Sequence, residues 1–363
     1  MKRYFTSPWL EMILMLILIA LSYIALAIIS SVAETPAGGI STWTITGLLL
    51  AFFLFSFVIA LVAVVAGIGG GVLFTPIMLA FTPVDSLIVR ATGLVVAMFS
   101  GLISTGLFMR QGLANLRICI FSATAYGIGA FTGAKSAIFV AKYLGESGEG
   151  AVRIALGVIL FLLAGYFIFG GKKIEWPEVK RVDGFTHWLR FSQPYYEQSL
   201  GKIVDYKVTR AWLLLIVIVA VGMLSGFFGL GAGWAIVPAQ NLVMAVPLKV
   251  AAANSGVLLG MGDCVAVWPY LLMGAMIPLF VAPWLVGQVI GGIVGALILI
   301  RVKAGFVRLI LIGIMFFTTY GLIARGLNTL GVIGEVPTPV TIAIVVIIAI
   351  VVVRGVVKAV RAG

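Results

Sequence analysis

Two glycine clusters hold the most suggestive chemistry in this 363-residue chain. Gly67-Ile68-Gly69-Gly70-Gly71 is followed by Pro76, and Gly229-Leu230-Gly231-Ala232-Gly233 is followed by Pro238. Each cluster opens a short apolar stretch, 72–82 and 234–246, too short to cross a bilayer. A helix start presents N–H groups without partners and carries roughly half a positive charge. Glycine lets the chain turn there and lets a ligand approach the backbone. In a low-dielectric interior such a start favours an anion. The predicted anion-binding set is Gly69, Gly70, Gly71, Thr75, Arg90, Thr92, Gly231, Gly233, Gln240, Asn241, Asn254 and Ser255. Most of its donors are neutral, so an anion held by them can also leave.

Charged residues inside apolar spans are functional candidates by default. Asp263, between Gly262 and Cys264, is the candidate for carrying a coupling proton or pairing with a cation. Arg90 either draws anions inward or snorkels to the interface. Lys135, in mid-span, is a candidate to balance Asp263, although nothing in the sequence brings the two together. Asp85 and Lys249 are expected to face water at the mouths, Arg153 and Arg308 to anchor span ends, and Trp234 and Trp268 to pack in the core or at the interface. Other chemistries lack their parts. The single histidine, His187, sits in a hydrophilic stretch, which excludes a histidine-based triad or metal site inside the membrane. Cys119 and Cys264 give no metal spacing. The GxGGG string lacks the strand context and downstream acid of a dinucleotide loop. No catalytic residue, cofactor or metal ligand is assigned.

These residues need a membrane to position them. Hydrophobic types make up 62% of the chain and charged types 10%, with mean hydropathy +1.22. No water-soluble globule has enough interior for that much apolar surface, so the partners are a lipid bilayer and a small anionic substrate. The net charge of +12 reads as contact with membrane head groups and not with nucleic acid. Ten segments are long and apolar enough to span, at 10–32, 44–66, 84–108, 117–141, 151–170, 211–228, 248–272, 277–300, 305–325 and 337–357. The first is longer than a signal-peptide core. The predicted fold class is an all-α polytopic membrane protein of the cell membrane, with about ten transmembrane helices. Each glycine stretch is read as a re-entrant half-helix, because broken backbone at membrane depth is tolerated only where protein or a water-filled cavity receives it.

The chain repeats itself. The glycine clusters lie 162 residues apart, Pro83 corresponds to Pro247, and Ala91-Thr92-Gly93 corresponds to Asn254-Ser255-Gly256. Gly112 pairs with Gly274, Gly129 and Gly133 with Gly291 and Gly295, and Val152-Arg153 with Val307-Arg308. The two pairs of glycines at intervals of four are expected to be packing surfaces. The organisation read from this is an extra span and loop at 1–43, a first half at 44–170, a hydrophilic linker at 171–210, a second half at 211–325, and an extra span at 326–363. An interfacial helix is expected in the linker around Phe185, Trp188, Leu189 and Phe191. With four crossings per half the repeats run parallel. Lys and Arg then nearly balance on the two faces, so orientation stays open.

Duplicated halves with glycine-interrupted segments at matching positions point to a transporter with its site at the repeat interface. The alternative is a passive channel for anions or small solutes. The glycine cluster and proline, followed by a second proline and a small-Thr/Ser-Gly element and repeated in a second half, resemble the TauE/SafE sulfite exporter family over residues 45–325. The resemblance implies a secondary transporter of sulfite, organosulfonates or related small sulfur-containing anions, usually in the direction of export. The chain departs from that pattern in its terminal spans, in Ala232 where a glycine is expected, and in its long insert.

Overall fold

A computed structural model describes residues 42–66, 69–81, 84–143, 145–169, 175–179, 181–198, 200–302 and 304–334, with isolated positions within 13–24 and 336–354. The expected span at 10–32 lies largely, and that at 337–357 partly, outside the described residues; Gly67, Ile68 and Pro83 and the side chains of Pro76 and Arg308 lie outside them too. The first half contributes α1 (Thr42–Ala66), α2 (Gly71–Phe81), α3 (Ser86–Arg110), α4 (Leu116–Tyr143) and α5 (Gly145–Phe169). The linker forms α6 (Gly184–Leu189), β1 (Tyr195–Glu197) and β2 (Lys202–Val204). The second half contributes α7 (Ala211–Phe228), α8 (Gly233–Met244), α9 (Leu248–Leu272), α10 (Pro278–Arg301) and α11 (Ala304–Thr329). Six helices among the described residues are long and apolar enough to cross a membrane.

Glycines decide how the helices meet. Without a hydrophobic force between helices in lipid, association depends on close packing. A Cβ added at Gly129 or Gly133 of α4 would strike the backbone of Val219 or Met223 on α7, and one at Gly222 or Gly226 would strike α4 in return. Gly287, Gly291 and Gly295 of α10 meet α1 in the same way, at Phe53, Phe57 and Leu61. Both contacts advance in the same chain direction, so α4 runs parallel to α7 and α10 parallel to α1. The packing expected of Gly129, Gly133, Gly291 and Gly295 is what they do. Each half thus supplies the helix that cradles the opening helix of the other half.

This sets the direction of every helix. Asp85, Lys142, Gly145, Met273 and Asn328 line one recess, so the start of α3, the end of α4, the start of α5 and the ends of α9 and α11 share one end of the bundle. At the other end the Thr209 N–H donates to Met244 O, joining the start of α7 to the end of α8, and Lys249 at the start of α9 reaches Ile300 O near the end of α10. Accordingly α7 and α8 form a hairpin opening at the second end, while α1 and α2 form one opening at the first. The halves are antiparallel, not parallel as read from hydropathy. In each half the short helix after the glycines runs back to the end where that half begins, and the three helices that follow alternate between the two ends.

The linker is more structured than expected. The interfacial helix is only the six-residue α6, and β1 and β2 pair antiparallel with Tyr196 opposite Ile203. Phe191 is buried, with its ring 5.1 Å from that of Phe121 on α4. Asp183 ties the linker to α7. Its Oδ1 accepts the Arg210 N–H at 2.6 Å and the Thr209 and Thr186 hydroxyls, and its Oδ2 accepts the Thr186 N–H. Desolvation works against the Asp183 charge, but these donors outweigh it and hold the carboxyl down at about 2.

Candidate functional site

The two glycine breaks meet at mid-length of the bundle. Gly69, Gly229 and Gly231 all have positive φ, at 75°, 65° and 68°, a region open to glycine without steric cost. A Cβ at Gly71 would lie 2.5 Å from Leu230 O, and one at Gly93 would collide with Thr75 Oγ1 and Gly229 O. The Thr75 hydroxyl donates to Gly229 O at 2.7 Å, so a residue of the first hairpin caps the end of α7 in the second. Ala97 on α3 and Leu259 on α9 lie against both Gly69 and Gly231. The starts of α2 and α8 therefore converge on one point, with the tips in contact. A cavity of about 10 Å³ beside them is lined by Gly69, Ser100, Ser104, Gly256 and Leu259 among others, room for on the order of one water.

Each tip faces its own polar cluster. At the first tip the Gly70 N–H donates to Ser100 Oγ at 3.0 Å. Gln288 Nε2 donates to Ser56 Oγ at 3.0 Å, and Ser56 Oγ in turn donates to Trp284 O. Gln288 Oε1 has no partner, and a Cβ at Gly70 would lie 2.7 Å from it. At the second tip Asp263 Oδ1 accepts the Tyr126 hydroxyl at 2.6 Å and the Ser225 hydroxyl at 3.0 Å. Asp263 Oδ2 has no partner, and a Cβ at Gly231 would lie 3.2 Å from it. Ser100, Gln288, Tyr126, Ser225 and Asp263 are all fully buried. Ser100, Tyr126, Ser225 and Gln288 were missed in the sequence. The signal was the repeat spacing, since Ser100 corresponds to Asp263 and Tyr126 to Gln288.

The predicted residues divide into two groups. Gly69, Gly70, Gly71, Thr75, Gly231, Gly233 and Asp263 are brought to the tips. Thr92 and Ser255 are buried near them, but their hydroxyls bond their own helices, to Ile88 O and Ala252 O, each at 2.8 Å. Gln240, Asn241 and Asn254 lie toward the second end. Asn254 Nδ2 donates to Gln240 Oε1 at 2.9 Å, and Asn254 Oδ1 accepts the Asn115 N–H at 2.7 Å. Asn115 continues into the linker, donating to Phe191 O and to the Tyr206 hydroxyl. Asn241 caps its own turn by donating to Val246 O.

Arg90 neither snorkels nor faces the tips with a free charge. It is 1% exposed, ion-paired with Glu149 at 2.6 Å and bonded to Phe227 O at 3.1 Å. Arg153 is not a surface anchor but a second partner of Glu149, at 2.7 Å. Glu149 and Arg153 line the first-end recess, of about 720 Å³, with Lys142 and Arg325. Lys249 is likewise not at a wet mouth. It is buried, 2.6 Å from Glu197 on β1. Lys135 is exposed, with its ammonium 4.8 Å from the centre of the Phe131 ring, so it does not balance Asp263. Trp234 is buried as expected, and Trp268 is 58% exposed.

The tip arrangement offers backbone donors, neutral side chains and a single unpaired carboxylate oxygen. That set can hold a small anion beside a proton. Among the described residues no three of His, Cys, Asp and Glu gather to hold a metal ion.

The family profile described as "Sulfite exporter TauE/SafE" matches residues 52–322. A protein of Bacillus subtilis (strain 168), the "Probable membrane transporter protein YunE", is 24% identical over 244 residues, covering 64% of this chain and 81% of that one. No solved structure matches.

Proposed function

The chain belongs to the sulfite exporter TauE/SafE family, and from that membership we propose that it exports small sulfur-containing anions such as sulfite or organosulfonates. As a member it is a multi-pass membrane transporter of the cell membrane. The finer reading is of a secondary transporter coupled to a proton or another ion, with alternating access at the repeat interface. The glycine segments are then re-entrant hairpins, one dipping in from each face. Gly69, Gly70, Gly71, Gly231 and Gly233 supply backbone to the anion, Thr75, Thr92 and Ser255 flank it, and Asp263 carries the coupling ion. Gln240, Asn241 and Asn254 act at the second-end exit, and Arg90 sits behind the first-end recess.

The observation that carries this reading is the contact between the two tips, one from each half, with both helix starts at mid-length of α3 and α9. Amide dipoles aimed at one point favour a negative guest and need no buried fixed cation. Antiparallel halves meeting at one site are the geometry that lets the site open to either face in turn. The α3–α9 crossing, where Gly101 approaches Gly256 and Gly260, is the surface on which that rocking would occur.

Purified protein in liposomes, tested with labelled sulfite, thiosulfate, sulfate, sulfoacetate and taurine, should give saturable flux of at least one sulfur oxyanion that responds to an imposed pH or ion gradient. Flux that does not saturate and ignores every gradient would identify a passive channel instead.

A further inference from the structure

We infer that the two hairpin tips are chemically unequal. The first, with Gln288 and Ser100, is the seat of the anion, and the second, with Asp263 held by Tyr126, is the seat of a proton that travels with it. This rests on the transporter reading above and assigns the parts within it.

The argument starts from the repeat. Ser100 on α3 and Asp263 on α9 occupy matching positions, and so do Tyr126 on α4 and Gln288 on α10. Ser100 and Gln288 bracket the first tip and Tyr126 and Asp263 the second, and each tip faces one fully buried acceptor oxygen without a partner, Gln288 Oε1 at Gly70 and Asp263 Oδ2 at Gly231. An orphaned buried polar atom costs about 1–3 kcal/mol, so keeping one at each of the two tips needs a reason beyond packing.

The two oxygens differ in what they can become. The carboxamide of Gln288 can turn over, since its oxygen and nitrogen are interchangeable within the same outline. Turned, it presents NH2 to the first tip, and Ser56 Oγ can donate to its oxygen. The Gly70 N–H is held by Ser100 Oγ, whose own proton goes to Ala97 O; redirected to a guest, the two complete a neutral set of donors around the start of α2. Asp263 cannot become a donor without a proton. Tyr126 and Ser225 both engage Oδ1, which leaves Oδ2 as the oxygen to be protonated.

The groups around Asp263 keep this simple. Tyr126 on α4 and Cys264 on its own helix are the titratable groups facing it, α7 offers Ser225, and the start of α8 offers backbone. Arg90 on α3 is committed to Glu149 and Phe227 O. Among the described residues no cation pairs with Asp263. An anion at the first tip and an ionised Asp263 at the second would repel strongly at this depth. Protonation removes the repulsion, so the two seats fill together, and export then runs on the anion's own outward gradient with the proton carried along. Tyr126 is a positioning residue, which turns the free oxygen toward the tip.

The test is binding of sulfite, thiosulfate and sulfoacetate to the detergent-solubilised full chain, with liposome flux in parallel. Gln288→Leu and Ser100→Ala should each weaken binding of the preferred anion by about ten-fold or more, while residual flux is still stimulated by acid on the anion's side. Asp263→Asn should retain binding and lose that stimulation. Tyr126→Phe should keep the stimulation and move its pH midpoint. Gln288→Glu guards against a folding artefact: its thermal midpoint should stay near that of the wild type, and it should bind the anion only in acid. If Gln288→Leu and Ser100→Ala bind like the wild type, or if acid on the opposite side is what stimulates flux, the inference is overturned. If the wild type binds none of the three anions, the substrate reading fails and takes this assignment with it.

Discussion

Glu149 holds two arginines, and its position shows why single charges in this bundle are not interchangeable. Its Oε1 meets Arg90 and its Oε2 meets Arg153. Arg90 is covered on all sides, by Phe227 at 5.5 Å from its guanidinium carbon as well as by the carboxylate. Breaking a buried pair leaves the survivor uncompensated and costs about 3–5 kcal/mol, whereas removing both partners is far milder. Glu149→Gln should therefore lower the thermal midpoint in detergent by the equivalent of about 3 kcal/mol, and the double variant Arg90→Met/Glu149→Gln should recover part of the loss. A double variant no more stable than the single one would mean that the Arg90 bond to Phe227 O carries the energy. Residues of this kind were poorly legible in the sequence. Arg90 and Arg153 look like interface anchors because each sits near a span end, and nothing in their neighbours announces a shared glutamate 59 residues from one and four from the other. Lys249 has the same history, since its partner Glu197 lies in the linker. Asp263 stood out because an acid in an apolar run is rare. Ser100, Tyr126 and Gln288 did not, because lone neutral polar residues in spans usually bond their own helix, as Thr92 does.

At the scale of elements, short turns fix where long helices begin. Asp183 caps α6 and at the same time ties down the start of α7 through the Arg210 N–H. Its carboxyl is held at about 2, below the ordinary value of about 3.9. A depressed carboxylate contributes stability that is fully present above the unfolded value and is lost as pH falls through the folded one. The linker's anchorage to α7 should thus be constant from neutral pH down to about 4 and weaken between about 4 and 2. Thermal midpoints measured across that window should fall for the wild type, and Asp183→Asn should start lower and show a flatter slope. An identical slope in both would place the acid sensitivity elsewhere. The helices themselves were readable. The glycine pairs at 129/133 and 291/295 were correctly taken as packing surfaces, because Gly at intervals of four on an apolar helix has few other uses in lipid. The strands of the linker were not read, since three residues with mixed side chains give no alternation to detect.

For the molecule as a whole, the question is which way each half points. Hydropathy measures whether a helix is long enough to cross, and α1, at 25 residues, passes that measure easily. It cannot tell that the chain turns back at Gly69. The parallel reading failed on that single ambiguity, while the repeat itself, read from glycines and prolines, led directly to the two tips that touch. Antiparallel halves give a plain expectation. Ser86→Cys and Met273→Cys, both beside the recess at the first end, should be labelled from the same face of sealed vesicles by a membrane-impermeant thiol reagent, in a background where Cys119 and Cys264 are replaced. Labelling of the two from opposite faces would restore the parallel arrangement.

The exchange of cradles between the halves carries one more consequence. Because α4 supports α7, and α10 supports α1, through backbone approached at glycine, neither half owns the wall its own opening helix leans on. A fragment ending before the linker would be born with an orphaned arm, and so would its complement. The two are obligate twins, each the other's scaffold during assembly. The ancestral single unit would then have had to work as a pair of copies in opposite orientations before a linker fused them.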